Sequence, residues 1–158
     1  MTRALLILAI VTATACSSPP VDVTKAVQVN VASSGWIAAG TTDGKNKIVP
    51  AVTLTLKNVS SETLNALQVN TVFRLVSTND EIASDFRPAS PSRGLAPGAS
   101  TDKLMLKANR GYTGTDPFED LLSNSHFVDA KVEVFVKAGP GQWTKVSESP
   151  VAREFTGS

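Results

Sequence analysis

Residues able to do chemistry are few in this chain: one cysteine, Cys16, and one histidine, His126. A nucleophilic Ser-His-Asp centre or a metal site would have to be built around His126. Ser123, Ser125 and Asp129 are close to it in sequence, but such a set is made by geometry and not by sequence proximity. No Gly-x-Ser-x-Gly elbow accompanies them. His126 therefore reads as a polar residue just past a short helix. Asp116, Glu119 and Asp120 form a carboxylate cluster of the kind that can hold calcium. No glycine-punctuated loop of alternating oxygen ligands surrounds them, and helix capping is the plainer role for Asp116 and Glu119. Gly111-Tyr112-Thr113-Gly114 lacks the Lys-Ser/Thr that a phosphate loop requires. Its glycines shape a loop, and Tyr112 is expected to pack with its hydroxyl bonded. The sequence thus implies no catalytic residue, no metal and no cofactor, and the chain is not read as an enzyme.

Cys16 differs because of what precedes it. Arg3 supplies a positive start, residues 4–11 are continuously apolar, and residues 12–15 are small. That order is a secretory signal peptide, expected to be helical. A membrane-spanning helix needs about 20 apolar residues. This run is shorter, and Ser17-Ser18-Pro19-Pro20 breaks it. Ala13-Thr14-Ala15-Cys16 resembles the lipobox of bacterial lipoproteins. The resemblance implies cleavage before Cys16 and acylation of its sulfur and its new amino group. Residues 1–15 are then the signal peptide, 16–22 a lipidated tether and 23–158 the folded domain. It also implies an envelope location, with the protein held to the membrane through the lipid on Cys16. In a Gram-negative host, Ser17 after the cysteine points to the outer membrane, facing the periplasm. An acylated Cys16 leaves the mature chain no free thiol and no disulfide.

The remaining composition is balanced. Lys plus Arg number 15 and Asp plus Glu 14, and removal of Arg3 makes them equal. The charges are scattered singly, so nucleic acid is not an expected partner. One domain of this length can bury a core without disulfides.

The elements that must position any site follow period two. Residues 26–31, 52–57, 67–75, 101–107, 129–137 and 143–147 alternate apolar with polar. Ala138-Gly139-Pro140-Gly141-Gln142 links the last two as a hairpin loop. Asp43-Gly44-Lys45-Asn46 and residues 58–63 are turns, and residues 87–100 hold too much proline for a central strand. Short strands with one polar face each predict an all-β fold: two antiparallel sheets packed face to face, with about seven strands. Reaching that number requires admitting residues 82–86 or 37–39. One short helix interrupts them. Asp116 is its expected N-cap, Pro117 its first residue and Glu119 the second half of a capping box.

Residues 52–75, VTLTLKNVSSETLNALQVNTVFRL, resemble the FxLYD-type domain of bacterial envelope proteins. The likeness rests on a strand ending Lys57-Asn58, a polar turn, and a long strand ending Phe73-Arg74-Leu75. It implies an immunoglobulin-like β-sandwich in an envelope setting and brings no catalytic residue. Asn58 itself suits a strand end, where its side chain can bond nearby backbone.

Three large apolar residues break the alternation. With Val132, Val134 and Val136 inward, Phe135 points out. With Leu104 and Leu106 inward, Met105 points out. With Val146 inward, Trp143 points out. Phe135 and Trp143 share a face of one predicted hairpin. Either these residues form a partner surface, or the short helix or the proline-rich loop covers them. The leading expectation is a non-enzymatic protein-interaction or assembly module of the envelope, with an envelope protein as partner. The alternative is an accessory lipoprotein that carries a small or lipidic ligand between sheet and helix.

Overall fold

A computed structural model describes residues 20–156. The signal peptide, Cys16 and the first part of the tether lie outside the described residues. The alternating runs form eight strands in two antiparallel sheets, an all-β sandwich. The first sheet holds β1 (Val27–Thr42), β2 (Lys45–Asn58) and β5 (Leu104–Lys107), with β6 (Tyr112–Gly114) on another stretch of β2. The second runs β4 (Glu81–Pro88), β3 (Leu67–Leu75), β7 (Ala130–Ala138), β8 (Thr144–Pro150). This division of strands between the layers is immunoglobulin-like.

Alternation sets the register. Across β2 and β5, Val52 faces Leu106 and Leu54 faces Leu104; across β3 and β7, Val69 faces Val136 and Phe73 faces Val132. These residues point between the sheets, and Leu54, Val69, Phe73 and Val132 are fully buried. Each such side chain contributes about 1.5–3 kcal/mol. A slip of one residue would put every one of them in water.

Residues 27–31 and 37–39, parts of two separate runs in the sequence reading, belong to the single strand β1, which carries an irregularity between Val31 and Ser33; Ala26 ends the one-turn helix before it. Its hairpin with β2 turns through Asp43 (φ 51°) and Gly44 (φ 71°), the two left-handed residues a two-residue hairpin needs. Residues 82–86 do form a strand, within β4, and Gly111–Gly114 contributes β6 in place of a plain loop.

The helix expected from Asp116 is absent. Only a 3₁₀ turn, Asp120–Ser123, forms there. Glu119 occupies its N-cap and makes no side-chain bond, so the capping box is not built. Cap residues mark a helix start, but a helix this short cannot repay nucleation. Tertiary contact decides the local shape, with Leu121 and Leu122 buried and Phe118 stacked on Phe155 at 6.3 Å. An unexpected one-turn helix, α1 (Val23–Ala26), begins at Asp22, whose carboxylate accepts the Thr24 N–H at 3.1 Å.

Asn58 does more than end β2. It is fully buried, and its Nδ2 donates to Glu62 O (2.7 Å) and Leu95 O (2.8 Å). Its Oδ1 accepts from the Ser60 N–H at 2.9 Å. One side chain thus ties the Ser60 turn to the proline-rich loop. At the other edge, residues 154–156 run beside β1: Trp36 N–H donates to Glu154 O, and Thr156 N–H to Trp36 O, both at 2.9 Å. A Cβ on Gly35 would meet the Thr156 methyl at 2.5 Å, so this strap requires glycine there.

The pairings also fix the two ends of the sandwich. Ala26, Asn58, Leu95, Leu67, Ala138 and Thr144 cluster at the end where the described chain begins. The Asp43-Gly44 turn, Tyr112, Leu75 and Ala130 lie at the far end.

Candidate functional site

The outer face of the second sheet carries an aromatic group. Asn70 on β3 pairs with Phe86 on β4 and with Phe135 on β7, which sets the three in one row. Phe135 points outward, as its place in the alternation requires, and is half-buried. Trp143, just before β8, reaches back over this row: its ring meets Phe86 edge-on, centroids 6.0 Å apart at 85°. Phe86 stays 49% exposed and Trp143 40% exposed. The 3₁₀ turn does not cover them, since Leu121 and Leu122 are buried at the far end, beside β6.

Met105 is not part of this group. It lies on β5 opposite Thr53, on the outer face of the other sheet, 53% exposed. Two sheets packed through their inner faces turn their outer faces apart. The sequence showed that Met105 points outward but not which layer holds it. Phe86 takes its place; no local pattern marks it, because the pairing that sets it beside Asn70 joins two strands.

A charged cluster adjoins the aromatic row. Glu133, paired with Val72, is buried although it faces outward. Arg74 Nε bonds its carboxylate at 2.9 Å and Lys145 Nζ at 3.3 Å. The bonded Arg74 guanidinium holds the Glu133 carboxyl below the ordinary glutamate range; Lys145 works the same way and burial opposes both. Lys145 also reaches Glu148 at 2.9 Å, and Lys131 reaches Glu148 at 3.3 Å. The network pins the surface around the aromatic row.

His126 is exposed, and its Nδ1 lies 3.4 Å from Ser125 Oγ. Asp129 is engaged elsewhere, bonded by Arg153 Nε at 2.9 Å. The structure therefore does not assemble Ser, His and Asp in hydrogen-bonding order. Among the described residues no group of three His, Cys, Asp or Glu side chains could hold a metal ion. Asp116, Glu119 and Asp120 are all exposed.

No family model and no curated protein matches the chain. Solved structures match it only at low identity and with TM-scores under 0.5. A Northeast Structural Genomics Consortium target is 10% identical, with a TM-score of 0.46, over 82% of this chain and 89% of that one. The putative ApaA protein from Bordetella pertussis is 11% identical, with a TM-score of 0.45, over 80% of this chain and 92% of its own. A protein from Archaeoglobus fulgidus is 15% identical, with a TM-score of 0.36, over 77% and 95%. Likeness at this distance carries nothing about activity or partner.

Proposed function

We propose that this chain is a lipid-anchored module of the bacterial envelope that binds a protein partner through the outer face of its second sheet and performs no catalysis. The observation that carries the reading is the exposed Phe86–Trp143 pair lying over the Phe135 row. Aromatic residues are enriched at interface centres, where they bury large area at low conformational cost. Paired charges at the rim, here Lys145 and Glu148, suit a polar surround. Membrane attachment rests on the lipobox-like Ala13-Thr14-Ala15-Cys16. A lipid cargo is less favoured: the most apolar hollow, lined by Trp36, Leu75, Ile82 and Tyr112, is about 150 Å³, below the roughly 300 Å³ at which ligand pockets begin, and the one of about 310 Å³ beside Pro88 and Leu95 is lined in large part by polar groups.

The test is crosslinking in cells from a photoreactive residue at position 143, compared with one at position 105. A defined adduct from 143 alone is expected. Adducts from both positions alike, or from neither, would overturn the surface assignment. Separately, Cys16→Ser should move the protein out of the membrane fraction with loss of lipid label; unchanged membrane retention would refute the anchor.

A further inference from the structure

The first sheet ends laterally at β1, which pairs with β2 on one side and, among the described residues, with no named strand on the other. Leu56 on β2 turns its backbone away from β1. Its N–H donates to Thr101 Oγ1 at 3.0 Å, and its carbonyl accepts the Thr101 N–H at 2.9 Å. Val29 is its partner across the ladder, so Val29 turns its own N–H and C=O away from β2, toward the open edge. Alternation does the same for Val31. Trp36 shows how this edge takes an added strand: its N–H and C=O are bonded by residues 154 and 156, the strap beside the later part of β1. That strap does not reach Val29 or Val31. Gln28 and residues 30–33 are exposed.

Open edges invite pairing with other chains, and charges or proline commonly guard them. The outer strands of the second sheet are guarded in this way. β4 carries Glu81, Asp85, Arg87 and Pro88, and β8 carries Lys145, Glu148 and Pro150. β1 has 16 residues, and none of them is charged or proline. Its valines at 27, 29 and 31 suit an extended, paired chain. The irregularity after Val31 limits the straight run to Val27–Val31. The Val27 N–H is already bonded to Val23 O at the end of α1. Val29 and Val31 therefore supply the two complete donor–acceptor sets on this edge.

We propose that this edge pairs with a second copy of the chain: two β1 strands lie antiparallel across a twofold axis at Asn30 and join two first sheets into one. In that register Val29 of each copy faces Val31 of the other, and their outward N–H and C=O groups bond reciprocally. Asn30 faces its own counterpart. Its side chain is exposed on the outer face, because Val27 and Val29 pack toward the core. An amide carries both donor and acceptor, so two identical amides can bond each other. Charge selects the occupant. A twofold axis brings identical residues together, and like charges brought together across strands oppose pairing. β4 and β8 carry such charges and β1 carries none. The paired stretch, Val27–Val31, is short. It falls below a standard interface, so the dimer is weak, with a Kd of roughly 0.1–1 mM. This edge belongs to the first sheet; it needs neither the aromatic face of the second sheet nor the lipid anchor.

The experiment uses the full-length chain carrying Cys16→Ser, so that any added cysteine is the only one. Asn30→Cys lies on the axis, where opposed Cα atoms of a non-hydrogen-bonded pair are about 4.5 Å apart, within disulfide reach. Mild oxidation should convert it to a covalent dimer. Gln28→Cys is exposed on the same face, but four residue steps would separate it from its counterpart by about 14 Å; it should stay monomeric. Sedimentation without oxidant, over a concentration series reaching the millimolar range, should show the parent chain associating. Asn30→Lys and Asn30→Asp, at an exposed site that leaves the core alone, each set like charges across the axis and should each stay monomeric. Their equimolar mixture should associate again. Equal crosslinking at positions 28 and 30 overturns the proposal. So does a parent chain that is monomeric throughout, or a Lys/Asp mixture no more associated than its components. Capture of Asn30→Cys in cells by a different protein alone would give the edge to that protein's strand and overturn the dimer.

Discussion

Phe86 and Trp143 come from opposite edges of the four-stranded second sheet, yet their rings meet edge to face at 6.0 Å. The contact spans the sheet because Trp143 precedes β8 and folds inward over Phe135. Neither ring is needed for the core, whose residues Val69, Phe73, Val134 and Val136 lie on the other face of the same sheet, on β3 and β7.

Replacing both rings, as Phe86→Ser with Trp143→Ser, should abolish partner capture while costing about 1 kcal/mol or less of stability, as surface changes do. Pull-down and urea unfolding on the same preparations check it. A double-mutant cycle on stability should return a coupling of about 0.5 kcal/mol, the low end for aromatic pairs. Unfolding of the double variant would mean the pair belongs to the core.

Met105→Ser removes a residue of comparable exposure from the opposite layer. Capture should be unchanged within error in the same pull-down. A loss equal to that of the aromatic double variant would place the interface around the molecule's edge instead of on one face.

Asn58→Ala should destabilise by about 2–4 kcal/mol, because it leaves the Leu95 and Glu62 carbonyls and the Ser60 amide without their buried partner. Urea unfolding measures this. Asn58→Asp should not rescue, since a carboxylate cannot donate to the two carbonyls. Full rescue would show that the local Ser60 turn, and not the link to Leu95, carries the stability.

Glu133 makes stability depend on pH in a defined direction. Its folded-state pKa lies below its unfolded value. Between those two values the unfolded chain binds more protons, so stability rises with pH there. The contribution is complete above the ordinary glutamate pKa of about 4.3 and fades as pH falls through the lower, folded value. Glu133→Gln should cost about 1.5–2 kcal/mol at neutral pH and flatten the acid limb of a stability-against-pH curve. An unchanged acid limb in the variant would assign the dependence to other carboxylates.

The layers were legible because the core residues alternate: Val132, Val134 and Val136 could face only one way. What depended on pairing between distant segments was not legible. Phe86 joins Phe135 only through Asn70, and Asn58 meets Leu95 only in the folded chain. Met105 was correctly turned outward, but alternation along one strand does not say which sheet the strand enters. The expected helix failed for a related reason, since Asp116, Pro117 and Glu119 hold local information that the burial of Leu121 and Leu122 overrode.

Trp143 stands near the end of the sandwich where the described chain begins. With Cys16 in a bilayer, the aromatic face would sweep a thin layer next to that bilayer, and a partner held in the same membrane would be searched for in two dimensions at raised effective concentration. A weak face contact can then suffice.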